Sequence, residues 1–195
     1  MLCIMNLPHG LTLLRILCAP LFPCIYLGYE KLGIPFAAVP WILLTVLVVS
    51  ELSDLLDGSI ARRRNQVTDL GKVLDPMADS MMHLSLFLML TQGVVGLPLM
   101  WGLLFLYREL LIGTLRTLSA LKGVALAARV SGKLKTFLQA AVSFWILLLL
   151  GGYSLEWVSV EELQRWSEWA VALTVVAAWA SGFDYLRVYT QSGQN

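Results

Sequence analysis

The segment from Pro35 to Arg64, PFAAVPWILLTVLVVSELSDLLDGSIARRR, decides the fold. Its first half is a continuous apolar run without polar–apolar alternation, which excludes a bilayer-crossing strand and predicts a helix. Its second half carries Glu51, Asp54 and Asp57 and leaves through Arg62, Arg63 and Arg64. Roughly 20 apolar residues span a bilayer. The segment over 35–61 therefore reads as a transmembrane helix with acidic final turns and a basic exit.

Comparable apolar stretches lie on either side, at 11–28, 70–92, 98–121, 134–152 and 168–188. They are punctuated by Gly33 and Pro35, by Gly93 to Pro98 and by Gly151-Gly152. The fold class expected is all-α, an integral membrane bundle of about six transmembrane helices forming a single domain over 1–195. Of the 195 residues, 58% are hydrophobic and 14% charged, and the mean hydropathy is +0.74, which speaks against an ordinary soluble domain. The 14 basic and 13 acidic residues nearly cancel, so no nucleic-acid partner is expected.

Charge placement gives the sidedness. Arg62, Arg63, Arg64 and Lys72 separate the second and third spans, and Lys122, Arg129, Lys133 and Lys135 separate the fourth and fifth. The opposite connections hold only Lys31 and Arg165 as basic residues, and the last is rich in glutamate. The positive-inside rule then puts both termini and the two basic loops on the cytoplasmic side of a cell (inner) membrane. Trp157, Trp166 and Trp169 read as an aromatic belt at the outer interface, with 158–166 as a short interfacial helix. Cys3, Cys18 and Cys24 read as packing thiols, and His9 and the isolated His83 as structural groups.

The informative anomaly is acidic. Asp54 and Asp57 sit near the inner end of the second span, and Asp75 and Asp79 near that of the third. Positions 54, 57, 58 and 61 form an i, i+3, i+4, i+7 stripe, and 71, 75 and 79 recur every four residues, so each set shares one helical face. Four such acids cost on the order of 10 kcal/mol at mid-membrane depth and less near the interface. Salt bridges to the arginine run or divalent cations would compensate them. Four carboxylates without thiol or imidazole suit hard ions such as Mg²⁺, Mn²⁺ or Ca²⁺. Gly58, Ala61 and Gly71 leave room on the same faces for a ligand to approach the backbone.

Asp54, Asp57, Gly58, Ala61, Arg62, Gly71, Asp75 and Asp79 spell DxxDGxxAR, eight residues, then GxxxDxxxD. This pattern resembles the signature of the CDP-alcohol phosphotransferase family, with no departure at any fixed position. The resemblance implies a six-helix membrane enzyme, usually a homodimer, with two divalent cations, Mg²⁺ or Mn²⁺, on the cytoplasmic side. It further implies metal ligation by Asp54, Asp57, Asp75 and Asp79, a general-base role for Asp79, and donor binding against Gly58, Ala61, Arg62 and Gly71. The reaction implied is attack of an alcohol on a CDP-linked donor with release of CMP.

Arg108 and Arg116 lie within the fourth span and Lys133 and Lys135 open the fifth; cations at such depth are functional by default. They are the expected grip on an acceptor phosphate. Arg116 is expected near the depth of the aspartates and Arg108 roughly 12 Å deeper along the helix. Glu109 and Arg116, at i and i+7, form a possible structural pair. The opening Asn6-Leu7-Pro8-His9-Gly10-Leu11-Thr12 through Arg15 resembles the branch of the family that forms phosphatidylglycerophosphate. So do Arg63 to Asp69, Arg108-Glu109-Leu110, Leu115-Arg116 and Ser131 to Thr136. That likeness implies CDP-diacylglycerol and glycerol 3-phosphate as partners, within membrane lipids. Ser80 departs from it, because many members of the branch carry Lys directly after the final aspartate. Inositol phosphate, then inositol or serine, are the competing acceptors. A carboxylate-lined cation transporter is the rival class, but it would distribute its acids through the membrane depth rather than cluster them at two helix ends.

Overall fold

Pro20 sets the first feature of the chain. With no N–H to give the preceding turn, it divides the first expected span into α1 (Leu7–Cys18) and α2 (Leu21–Gly28). A 3-10 turn at Phe36–Ala38 leads into α3 (Val39–Arg63), followed by α4 (Asp69–Met89), α5 (Leu99–Leu121), α6 (Val130–Ser154) and α7 (Val160–Ser192). The computed structural model describes the backbone of residues 7–63, 69–121 and 130–192, and side chains within 12–53, 74–119 and 132–185 except 133 and 184. Among the described residues every regular element is helical.

One departure from expectation has a local cause. The stretch over 158–166 is no separate interfacial helix: it forms the first turns of the 33-residue α7, about 50 Å long. Ser159 starts that helix by a capping box. Its Oγ accepts the Glu162 N–H at 3.2 Å while Glu162 Oε2 accepts the Ser159 N–H at 3.0 Å. The turn between α4 and α5 uses Gly93 at φ +69°, where an added Cβ would stand 2.7 Å from the Tyr26 hydroxyl.

The packing places α4 in the middle, against α1, α2, α5 and α6, while α7 lies on α5 and α6. Its core joins Phe22, Leu47, Leu86, Phe105, Ile146 and Val175. The exterior is more apolar than that of a water-soluble bundle, and several cations lie inside. Phe137 is 70% exposed, as are large fractions of Leu17, Leu110 and Val176, whereas Arg15, His83, Arg108 and Lys135 are buried. Among the described residues, two helical segments, Phe36–Ser53 and Leu134–Ser154, are long and apolar enough by themselves to cross a membrane. α4 and α5 have the length for it, but Asp75 and Asp79, and Arg108, Glu109 and Arg116, interrupt their apolar character.

Candidate active site

The polar residues of α4 fan out to different neighbours. Asp75 turns to α1, where the Thr12 hydroxyl donates to its Oδ1 at 2.7 Å and Arg15 Nη2 lies 3.7 Å away. Arg15 is buried, while 48% of the Asp75 side chain stays exposed. Asp79, one turn on, is more enclosed, with 17% of its side chain exposed. Pro76 lies between them inside α4 and removes one intrahelical hydrogen bond from that turn, yet the helix continues through it.

Ser80 points to α5 and donates to Glu109 Oε2 at 2.5 Å. The other Glu109 oxygen receives Arg108 Nη1 at 2.6 Å and Lys135 Nζ of α6 at 2.7 Å. One carboxylate thus holds two cations and a hydroxyl from three helices. The Lys135 ammonium also lies 5.5 Å from the centre of the Phe105 ring. Ser80, the departure from the expected lysine, occupies its place as a donor to this cluster.

Arg108 is fully engaged by protein. Its Nε donates to the Ala178 carbonyl at 2.9 Å and its Nη2 to Ser181 Oγ at 2.7 Å, tying α5 to α7. The expected pairing of Glu109 with Arg116 does not occur: helical spacing put them on one face, but Lys135 comes from a neighbouring helix and takes the carboxylate. Arg116 instead donates to the Tyr185 hydroxyl at 2.9 Å and stacks over its ring at 4.8 Å. The same hydroxyl lies 2.9 Å from where a Cβ on Gly132 would stand, so the glycine clears the space that Tyr185 occupies. The contact of Ser80 with Glu109 brings the Arg108–Glu109 layer to the level of the last aspartate, rather than deeper.

His83 is not isolated. Its buried ring lies with Nε2 3.5 Å from both Asp79 Oδ1 and Glu51 Oε1, and Nδ1 3.1 Å from Ser143 Oγ. Sequence reading missed this convergence, along with Tyr185 and Ser181, because their partners come from other helices. Thr12 and Arg15 were visible only as letters in the opening motif. Cys18 is buried as expected, but Cys24 is exposed.

Several expected site residues lie outside the described side chains. Asp54, Asp57, Gly58, Ala61 and Arg62 belong to α3, Gly71 to α4 and Lys133 to α6, and only their helical backbone is described. The side chains of Cys3 and His9 are likewise outside. Among the described residues no group of three or more His, Cys, Asp or Glu side chains is arranged to hold a metal ion. Asp75 and Asp79 are nevertheless oxygen donors one turn apart with part of each side chain open, which suits the hard cations expected there.

Comparison with known proteins bears on the chemistry. A family model described as CDP-alcohol phosphatidyltransferase matches residues 5–184. A protein of Bacillus subtilis (strain 168) named CDP-diacylglycerol–glycerol-3-phosphate 3-phosphatidyltransferase is 34% identical over 183 residues, covering 89% of this chain and 92% of its own. A protein of the same name from Rickettsia typhi is 32% identical over 185 residues, covering 93% and 96%. Another, from Salmonella typhimurium, is 32% identical over 148 residues, covering 73% and 76%.

Proposed function

From the premise that the chain belongs to the CDP-alcohol phosphatidyltransferase family, we propose that it transfers the phosphatidyl group of CDP-diacylglycerol to glycerol 3-phosphate. The products are phosphatidylglycerophosphate and CMP, a step of phospholipid synthesis. The observation that carries the reading is the complete DxxDGxxAR and GxxxDxxxD pattern in a chain whose relatives over most of its length bear that name.

In this reaction the acceptor hydroxyl gives its proton to Asp79 and its oxygen attacks the phosphorus that bears the diacylglycerol. The bond from that phosphorus to the bridging oxygen breaks, and CMP leaves with that oxygen. A positioned base of this kind contributes about 10²–10⁴-fold in rate. Asp54, Asp57, Asp75 and Asp79 would hold two divalent cations, Mg²⁺ or Mn²⁺. When bound, they neutralise the pyrophosphate and align the attacking and leaving oxygens. Gly58, Ala61, Arg62 and Gly71 take the cytidine diphosphate side of the donor.

The acceptor phosphate falls to Arg116, Lys133 and Lys135, with Arg108 orienting Glu109 and, through it, Lys135. This follows from the engaged guanidinium of Arg108, each of whose three nitrogens already meets a protein oxygen. The bundle spans the inner membrane six times with both termini and the site on the cytoplasmic side; the exposed apolar side chains support a membrane location, and the placement of Lys and Arg in the sequence supports the sidedness. A homodimer is part of the same proposal.

The test is CMP release by purified protein with CDP-diacylglycerol and Mg²⁺, screened against glycerol 3-phosphate, inositol phosphate, inositol and serine. Release that requires glycerol 3-phosphate is expected. Release with a different acceptor alone would reassign the substrate, and none with any acceptor would contradict the enzyme reading.

A further inference from the structure

His83 has no part in the reaction as described, yet it touches the side chain that takes the proton. It lies four residues after Asp79 on α4. Helical side chains lean toward the N-terminus and cover the preceding turn, so the imidazole is laid back over the aspartate. Two further helices fix the ring. Ser143 of α6 meets Nδ1 at 3.1 Å, and Glu51 of α3 meets Nε2 at the same 3.5 Å as Asp79 does. The ring is fully buried, with Phe87 alongside at 6.4 Å between centroids.

Two carboxylate oxygens face Nε2, so that nitrogen presents its N–H to them, and the Ser143 hydroxyl closes the other side of the ring. At 3.5 Å neither contact is a hydrogen bond for the buried Nε2, and contacts in substrate-free sites often tighten only around substrate. We propose that His83 is a positioning residue for Asp79. By meeting Oδ1 from a ring braced between α3, α4 and α6, it fixes the orientation in which the carboxylate receives the acceptor proton. Glu51 completes the brace. The inference rests on Asp79 being the proton acceptor.

Amide side chains separate the two ring nitrogens. Gln reaches as far as Nε2 and keeps a donor toward Asp79, Asn stops at the level of Nδ1, and Phe keeps the ring without either nitrogen. Steady-state kinetics with CDP-diacylglycerol, glycerol 3-phosphate and Mg²⁺ would be measured for His83→Phe, His83→Gln and His83→Asn, with Asp79→Asn alongside. A reacting group held about 1 Å out of place loses on the order of 10²-fold. His83→Phe and His83→Asn are expected to lose tenfold or more in kcat, on the order of that penalty, while both KM values stay within about twofold. His83→Gln is expected to recover to within about threefold of the parent, since it retains the donor toward Asp79.

Parent-like kcat in His83→Phe, a change confined to KM, or equal kcat in the Gln and Asn variants would each overturn the inference. Should His83→Phe fail to fold, the Gln–Asn difference decides alone. An active Asp79→Asn would instead overturn the base assignment. An inactive Asp79→Asn beside a parent-like His83→Phe would remove only the role given to His83.

Discussion

The rim and the interior of the bundle treat carboxylates in opposite ways. At the α6–α7 turn, Glu162 is exposed and is satisfied by Ser159, three residues away in the chain. In the interior, Glu109 and Asp79 are enclosed: Glu109 draws Lys135 and Ser80 from two other helices, and Asp79 meets His83, whose ring is held in turn by Ser143 of α6. A local partner costs little to arrange and contributes little. Partners drawn from several helices couple the charge to the packing of the whole bundle, so disturbing one of them reaches both stability and chemistry.

The contrast predicts a graded series. Asp79→Asn should have the largest effect, lowering turnover by about 10²–10⁴-fold while leaving CDP-diacylglycerol binding partly intact. Turnover assays combined with donor-binding measurements check it. Glu109→Ala comes next, because it leaves Arg108 and Lys135 buried without their carboxylate. A loss of about 3–5 kcal/mol is the usual scale for breaking such a group, read as thermal unfolding in detergent. A parent-like melt would show that the buried cluster is no more coupled than the exposed one.

Gly132→Ala should have a smaller and more selective effect. Its new methyl would displace the Tyr185 hydroxyl and loosen Arg116, raising KM for glycerol 3-phosphate more than for the donor. Equal changes in both constants would make that contact purely structural. The smallest effect belongs to the exposed rim. The backbone and side-chain hydrogen bonds of Ser159 hold the Glu162 carboxyl below its ordinary range. Because the folded value is the lower one, this cap stabilises the protein above the unfolded glutamate pKa and loses its effect as pH falls through the folded value. Ser159→Ala should therefore lower the melting temperature slightly at neutral pH, with the difference fading in acid. A difference that grows in acid would reverse the assignment.

The same contrast explains what could be read from the chain beforehand. Apolar runs and their Gly and Pro punctuation located the helices, since both are local properties. The break at Pro20 was equally local, but a run of apolar residues on both sides masked it. The spacing of the aspartates predicts one shared face on each of α3 and α4; of the four, only Asp75 and Asp79 are among the described side chains, and they meet different neighbours. Nothing in that spacing could say that Asp75 would meet Thr12, that Lys135 would displace Arg116 from Glu109, or that His83 would find Ser143. Those meetings depend on which helices become neighbours. A run in register within one helix is legible; a partner from another helix is not.

Whether the phosphatidyl group ends on glycerol 3-phosphate is measured most directly by transfer of a label. Glycerol 3-phosphate labelled in its phosphate is incubated with CDP-diacylglycerol, Mg²⁺ and protein, and the label entering the lipid phase is compared with the CMP released. One labelled lipid per CMP is the predicted result. CMP released while the label stays in water would mean that the donor is being cleaved without transfer to this acceptor, and the account would be contradicted.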